Sequence, residues 1–156
     1  MATNESEFKL EFRKSLEQEY GALAQVWTSN DMFRAGIPDF NATWNSKYFS
    51  IEAKFVRKLP VRDLSLVLKH ELSPLQYNHL KRINDTGCHG VVLVGLPDIA
   101  IAIPIQSLLP VKTGSDIVTN IQLHFLKKLK EDGLGFVRSG GRWQVRGFFE
   151  KLSEIQ

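Results

Sequence analysis

The chain has 156 residues, 43% hydrophobic and 24% charged, with a net charge of +3. That is the make-up of one globular domain spanning 1–156, and it excludes a disordered or low-complexity chain. No apolar run approaches the ~20 residues that span a bilayer, no signal-like apolar segment opens the sequence, and a lone cysteine, Cys88, leaves no intrachain disulfide. The expectation is a cytoplasmic, reducing setting with no membrane partner.

Taken in order, Glu5 to Tyr20 reads as a helix, because Phe8, Phe12, Leu16 and Tyr20 recur every four residues and Gly21 follows as a stop. Ala24 to Trp27 is a short strand, and Ser29 to Ala35 a polar loop containing Arg34. Pro38–Trp44 and Lys47–Phe55 form a β-hairpin turning at Asn45-Ser46. Phe55 to Leu72 shows no period and reads as a long loop with room for one helical turn. Ser73 caps a helix with Pro74 at its first position, running to Gly87. Gly90–Gly95 is a buried strand and Asp98–Ile105 its neighbour. Ile117–Glu131 reads as a second amphipathic helix on Ile117, Ile121, Phe125 and Leu129. A hairpin follows at Gly140-Gly141, and Phe148–Ile155 is a short terminal helix. In that hairpin Arg138, Arg142, Trp143 and Arg146 interleave, either as a nucleic-acid contact or as the charges that keep an edge soluble.

The first hairpin concentrates the chemistry. Side chains alternate along a strand, so Phe49, Ile51, Ala53 and Phe55 share one face and Ser50, Glu52 and Lys54 the other. On the preceding strand Asp39, Asn41 and Thr43 point away from Phe40, Ala42 and Trp44. Asp39, Glu52 and Lys54 then meet on one polar face, where two carboxylates suit a hard divalent cation beside an ammonium. From Lys47 to Arg82 there are eight Lys or Arg against three acids, a local excess of +5 that favours a polyanionic partner.

Gly36-Ile37-Pro38-Asp39, Glu52-Ala53-Lys54 and Ser73-Pro74-Leu75-Gln76, in that order and spacing, resemble the PD-(D/E)XK nuclease motif. The likeness is to the branch of Holliday-junction resolvases and virus-type replication-repair nucleases, and covers about Glu5 to Gly95. It implies a restriction-endonuclease-like core and a divalent-metal-dependent endonuclease acting on DNA phosphodiesters. By the same resemblance Asp39, Glu52, Lys54 and Gln76 are catalytic. Asp39, Glu52, the Ala53 carbonyl and a first-helix glutamate hold Mg²⁺, for which Mn²⁺ substitutes; Glu7 fits the family spacing slightly better than Glu11. Branched DNA is the implied substrate and a homodimer the implied assembly, with phage or mobile-element origin a further expectation.

Arg34, Arg57, Lys58, Arg62 and Lys81 are candidate DNA contacts. Each also has an ordinary reading as a surface cation, as Glu7 and Glu11 have as first-turn acids. The histidines lack zinc-ligand spacing, and neither a nucleophile elbow nor a phosphate-binding P-loop is present. The expected architecture is α/β, a central mixed sheet flanked by helices. The alternatives are a site-specific endonuclease of the same fold, a non-catalytic DNA-binding protein, and a protein-interaction domain in which the motif is accidental.

Overall fold

A computed structural model describes residues 4–29, 37–57, 65–67, 72–108, 110–113 and 116–155. Helix α1 spans Glu5–Tyr20, capped by the Asn4 side chain and ended by Gly21 at φ 56°. Its four-residue stripe is buried as the spacing predicts: Phe8, Phe12 and Leu16 are fully covered and Tyr20 nearly so. Strand β1 (Ala24–Thr28) leads to the hairpin of β2 (Phe40–Trp44) and β3 (Lys47–Phe55). Asn45 and Ser46 turn it with φ of 51° and 62°, the left-handed pair that a two-residue hairpin loop requires.

Helix α2 (Pro74–Asp85) precedes β5 (His89–Gly95) and β6 (Ile99–Pro104). The late strands are β9 (Gly135–Ser139) and β10 (Arg142–Trp143), and α4 (Phe148–Ser153) follows. Together they build a seven-stranded sheet in the order β1-β2-β3-β5-β6-β9-β10. The sheet is mixed: β3 and β5 run parallel, and the other neighbours are antiparallel. A parallel pair needs a crossover, and α2 lies in that crossover, packing on β3 and β5.

Helix α1 contacts β1, β3 and β10. Phe8 and Phe12 meet the Trp143 ring at centroid distances of 5.3 and 5.8 Å, and Phe12 meets Phe148 at 5.4 Å. Full burial of each such ring stabilises by about 1.5–3 kcal/mol. The Tyr20 hydroxyl donates to Glu150 and accepts from the Phe149 amide, tying the end of α1 to α4. Burial and the Glu150 bond together push that phenol far above its usual range. Trp143 is therefore core rather than a nucleic-acid contact, and Arg138 beside it is paired with Glu11.

Two expectations are corrected. The stretch from Ile117 begins as strand β8 (Asp116–Gln122); the helix starts only at Leu123 (α3, Leu123–Leu129) and continues as a π-helical segment, Lys130–Leu134. A spacing of four satisfies a period of two as well as one of 3.6, so Ile117 and Ile121 fit either element. The β-branched run Ile117-Val118-Thr119 tips the choice to a strand. Within the Phe55–Leu72 segment, expected to be a loop, Ser65–Val67 is a strand (β4). With β7 (Pro110–Thr113) these strands form a small second sheet, β4-β8-β7.

Candidate active site

Strand β3 is the interior position from which the site is built. It lies between β2 and β5, and both its faces are covered. Phe49, Ile51 and Ala53 pack toward α1, while Ser50, Glu52 and Lys54 face the α2 side and are also buried. Glu52 is only 2% exposed and Lys54 only 7%. Buried charges must be paired or change protonation. Here Lys54 Nζ lies 3.2 Å from Glu52 Oε1, and Gln76 Nε2 donates to the same oxygen at 2.7 Å. Among the described residues Glu52 Oε2 is buried with no hydrogen-bond partner. Burial pushes the Glu52 carboxyl up, the Asp39 charge adds to this and Lys54 opposes it; the result is about 7.

Gln76 reaches Glu52 because of how α2 starts. Ser73 Oγ accepts from the Gln76 amide at 3.1 Å, and Gln76 Oε1 accepts from the Ser73 amide at 2.9 Å, a reciprocal capping box. The amide group of Gln76 is thereby divided, its oxygen closing the helix end and its nitrogen holding the acid.

Asp39 sits just before β2, whose register continues to place it across from Glu52. The same register puts Pro38 opposite Ala53. In place of a further ladder bond, Asp39 Oδ2 accepts the Ala53 amide at 2.8 Å and satisfies a buried donor. Asp39 Oδ1 accepts from Lys9 Nζ, also at 2.8 Å. Lys9 comes from α1 and lies 3.7 Å from Glu5, one turn earlier. Burial disfavours its charge, but the Asp39 bond and the charges of Asp39, Glu5 and Glu52 prevail and hold the ammonium above its usual value. A cleft of about 320 Å³ opens beside this pair, lined by Lys9, Leu10, Arg13, Thr28, Ser29 and Asp39.

The structure thus brings Asp39, Glu52, Lys54 and Gln76 to one place. It adds Lys9, which the sequence reading passed over; the available signal was its position beside the Phe8 stripe, four residues from Glu5. Glu7 is exposed and lies about 200° around α1 from Lys9. Glu11 is held by Arg138, 127 residues away in sequence. Arg57 is exposed just beyond β3, and Lys81 bonds Asp85 on its own helix at 2.8 Å. Gly36, Arg34, Lys58 and Arg62 lie outside the described residues. A polar network also escaped the sequence reading: Asn41 Oδ1 accepts from Tyr48 and Ser50, and its Nδ2 donates to Ser29. This network ties the loop after β1 to the hairpin beside Glu52.

Among the described residues no group of three or more acidic, His or Cys side chains converges as a metal cage. The donors at the site nevertheless suit a divalent ion. Glu52 Oε2 is orphaned, a second carboxylate stands across the register, and both are hard oxygen donors. No helix in the described residues is long and apolar enough to cross a membrane.

No protein-family model matches the chain, and neither does any curated protein. Among solved structures the chain is similar to Hjc from Archaeoglobus fulgidus, a Holliday junction resolvase of an archaeal hyperthermophile. The TM-score is 0.53 at 20% identity, covering 76% of this chain and 87% of that one. The two chains accordingly share an α/β fold, a mixed sheet flanked by helices.

Proposed function

We propose that this chain is a divalent-metal-dependent endonuclease that hydrolyses DNA phosphodiester bonds, selecting branched DNA of the Holliday-junction kind. The observation that carries the reading is the Asp39–Glu52–Lys54 group, with Glu52 and Lys54 buried, Asp39 half-buried and one Glu52 oxygen unpartnered, on a fold similar to that of a junction resolvase. Lys9 and Lys54 already pair with Asp39 and Glu52, but the second Glu52 oxygen is desolvated without a partner, a cost that a bound cation would remove.

Asp39, Glu52 and the Ala53 carbonyl would hold Mg²⁺, or Mn²⁺ in its place; Glu7, on the opposite side of α1 from Lys9, is not used in this reading. When bound, the ion supplies Lewis acidity toward the scissile phosphate and makes water a better nucleophile. Lys54 presents a fixed positive charge where negative charge develops on the phosphate. Gln76 fixes the Glu52 carboxylate, and the Ala53 amide fixes Asp39. Arg34, Arg57, Lys58, Arg62 and Lys81 would contact the backbone through the basic excess around the hairpin. A homodimer would present two such sites to a symmetric junction, and the lone cysteine suits an intracellular setting.

The test is cleavage of labelled four-way junction, flap, single-stranded and linear duplex DNA with Mg²⁺, Mn²⁺ or EDTA. Wild type would be run beside Lys54→Ala and Asp39→Asn, the latter keeping an acceptor for the Ala53 amide. Junction cutting that needs metal and is lost in both variants is the expected result. Tight junction binding without cutting would replace the enzyme by a binding protein. A protein that neither cuts nor binds any of these substrates would refute the reading.

A further inference from the structure

The residue that α1 delivers to the acidic site is a cation. Lys9 Nζ bonds Asp39 Oδ1 at 2.8 Å, while Asp39 Oδ2 is committed to the Ala53 amide. Any ion that takes Asp39 as a ligand must therefore compete with Lys9 for Oδ1. The lysine side chain is 31% exposed and borders the 320 Å³ cleft, so its ammonium has room to leave. It also has somewhere to go: Glu5 Oε2 is 3.7 Å away on the same helix face. Across the register, Glu52 Oε2 is unpartnered and needs no displacement.

We propose that Lys9 is the built-in counter-ion of the Asp39–Glu52 pair, and that a divalent ion enters by displacing its ammonium from Asp39 toward Glu5. The inference rests on the metal-dependent reading above and adds a competitor within the chain. Glu52 Oε2 is the foothold and Asp39 Oδ1 the contested ligand. With no ion bound, Lys9 compensates Asp39 while Lys54 pairs with Glu52. With an ion bound, Lys9 is a like charge at close range. Metal affinity is thus set below what the carboxylates alone would give, and the site exchanges its ion readily instead of trapping it.

The measurement is Mn²⁺ binding by calorimetry and by electron paramagnetic resonance at neutral pH. It covers wild type, Lys9→Met, Lys9→Gln, Asp39→Asn and Glu52→Gln, with thermal melts of each with and without Mn²⁺. Removing a unit positive charge at this range in a partly solvated site is worth about tenfold in cation affinity. Lys9→Met is expected to bind Mn²⁺ about tenfold more tightly than wild type. Its melting temperature should be lower without metal, and its rise on adding Mn²⁺ larger. Lys9→Gln, which keeps a hydrogen-bond donor without the charge, should also bind more tightly. Asp39→Asn and Glu52→Gln should both bind more weakly.

Mn²⁺ binding that depends on Asp39 and Glu52 but is unchanged or weakened in both Lys9 variants would overturn the counter-ion proposal and leave the nuclease reading standing. No Mn²⁺ binding in wild type or in either Lys9 variant would overturn both.

Discussion

Replacing Glu52 with Gln tests the electrostatics of the site without DNA or metal. In the folded protein the Glu52 carboxyl is pushed from 4.5 to about 7, chiefly by burial and then by Asp39. The unfolded chain ionises near the ordinary value. Because the folded value is the higher one, the protonated carboxyl contributes stability that is complete below about pH 4.5. That contribution drains away as pH rises and is gone above about 7. At about 1.4 kcal/mol per pH unit, the loss is on the order of 3 kcal/mol. Gln keeps the shape and never ionises, so the variant escapes the loss. Lys54 faces a neutral group at low pH in both proteins, so the difference between them isolates Glu52. Urea denaturation in EDTA from pH 4.5 to 8 should show Glu52→Gln gaining up to about 3 kcal/mol on wild type, with most of the gain between pH 5 and 7. A gap between the two proteins that does not change with pH would refute this reasoning, because Glu52 would then ionise like a surface carboxylate.

Two further substitutions probe how the scaffold holds the site. Ser15 is buried, donates to the Glu11 carbonyl and accepts the Trp143 amide at 3.0 Å. Ser15→Ala should cost about 1–3 kcal/mol in thermal or urea unfolding by orphaning that amide. A Cβ at Gly90 would collide with the Leu80 backbone carbonyl of α2. Gly90→Ala should therefore cost about 1–3 kcal/mol by pushing α2 from β5, and should reduce any metal-dependent cleavage, since α2 carries Gln76.

Much of the fold was legible because single elements carried more than one concordant signal. The α1 stripe agreed with its glycine stop, and Ser73-Pro74 agreed with the helix that follows. The alternation of β3 agreed with the Asn45-Ser46 turn, and together they put Glu52 and Lys54 on one face. The stretch Ile117–Gln122 was not legible, because its even spacing suits two periods and tertiary pairing with β4 and β7 decides between them. Lys9 was not legible either. A lysine next to an apolar stripe looks like any solvated helix residue until the hairpin is placed 30 residues away in sequence. Asp39 was expected on the polar face; its bond to the Ala53 amide arises because β2 begins only at Phe40, a boundary that local sequence does not reveal.

The divided amide of Gln76 limits which residues position 76 can accept. At the third position of a helix, Glu is as good a capping-box partner as Gln, so a choice made for helix stability alone would treat the two as equals. Here the second half of the side chain must donate to Glu52, and a glutamate would offer an acceptor and a negative charge instead. Asn would supply the right atoms on a stem one methylene too short to serve both ends. The position tolerates a single residue type although each of its duties, taken alone, would tolerate several. Redesign of this helix for thermal robustness would have to leave that residue untouched.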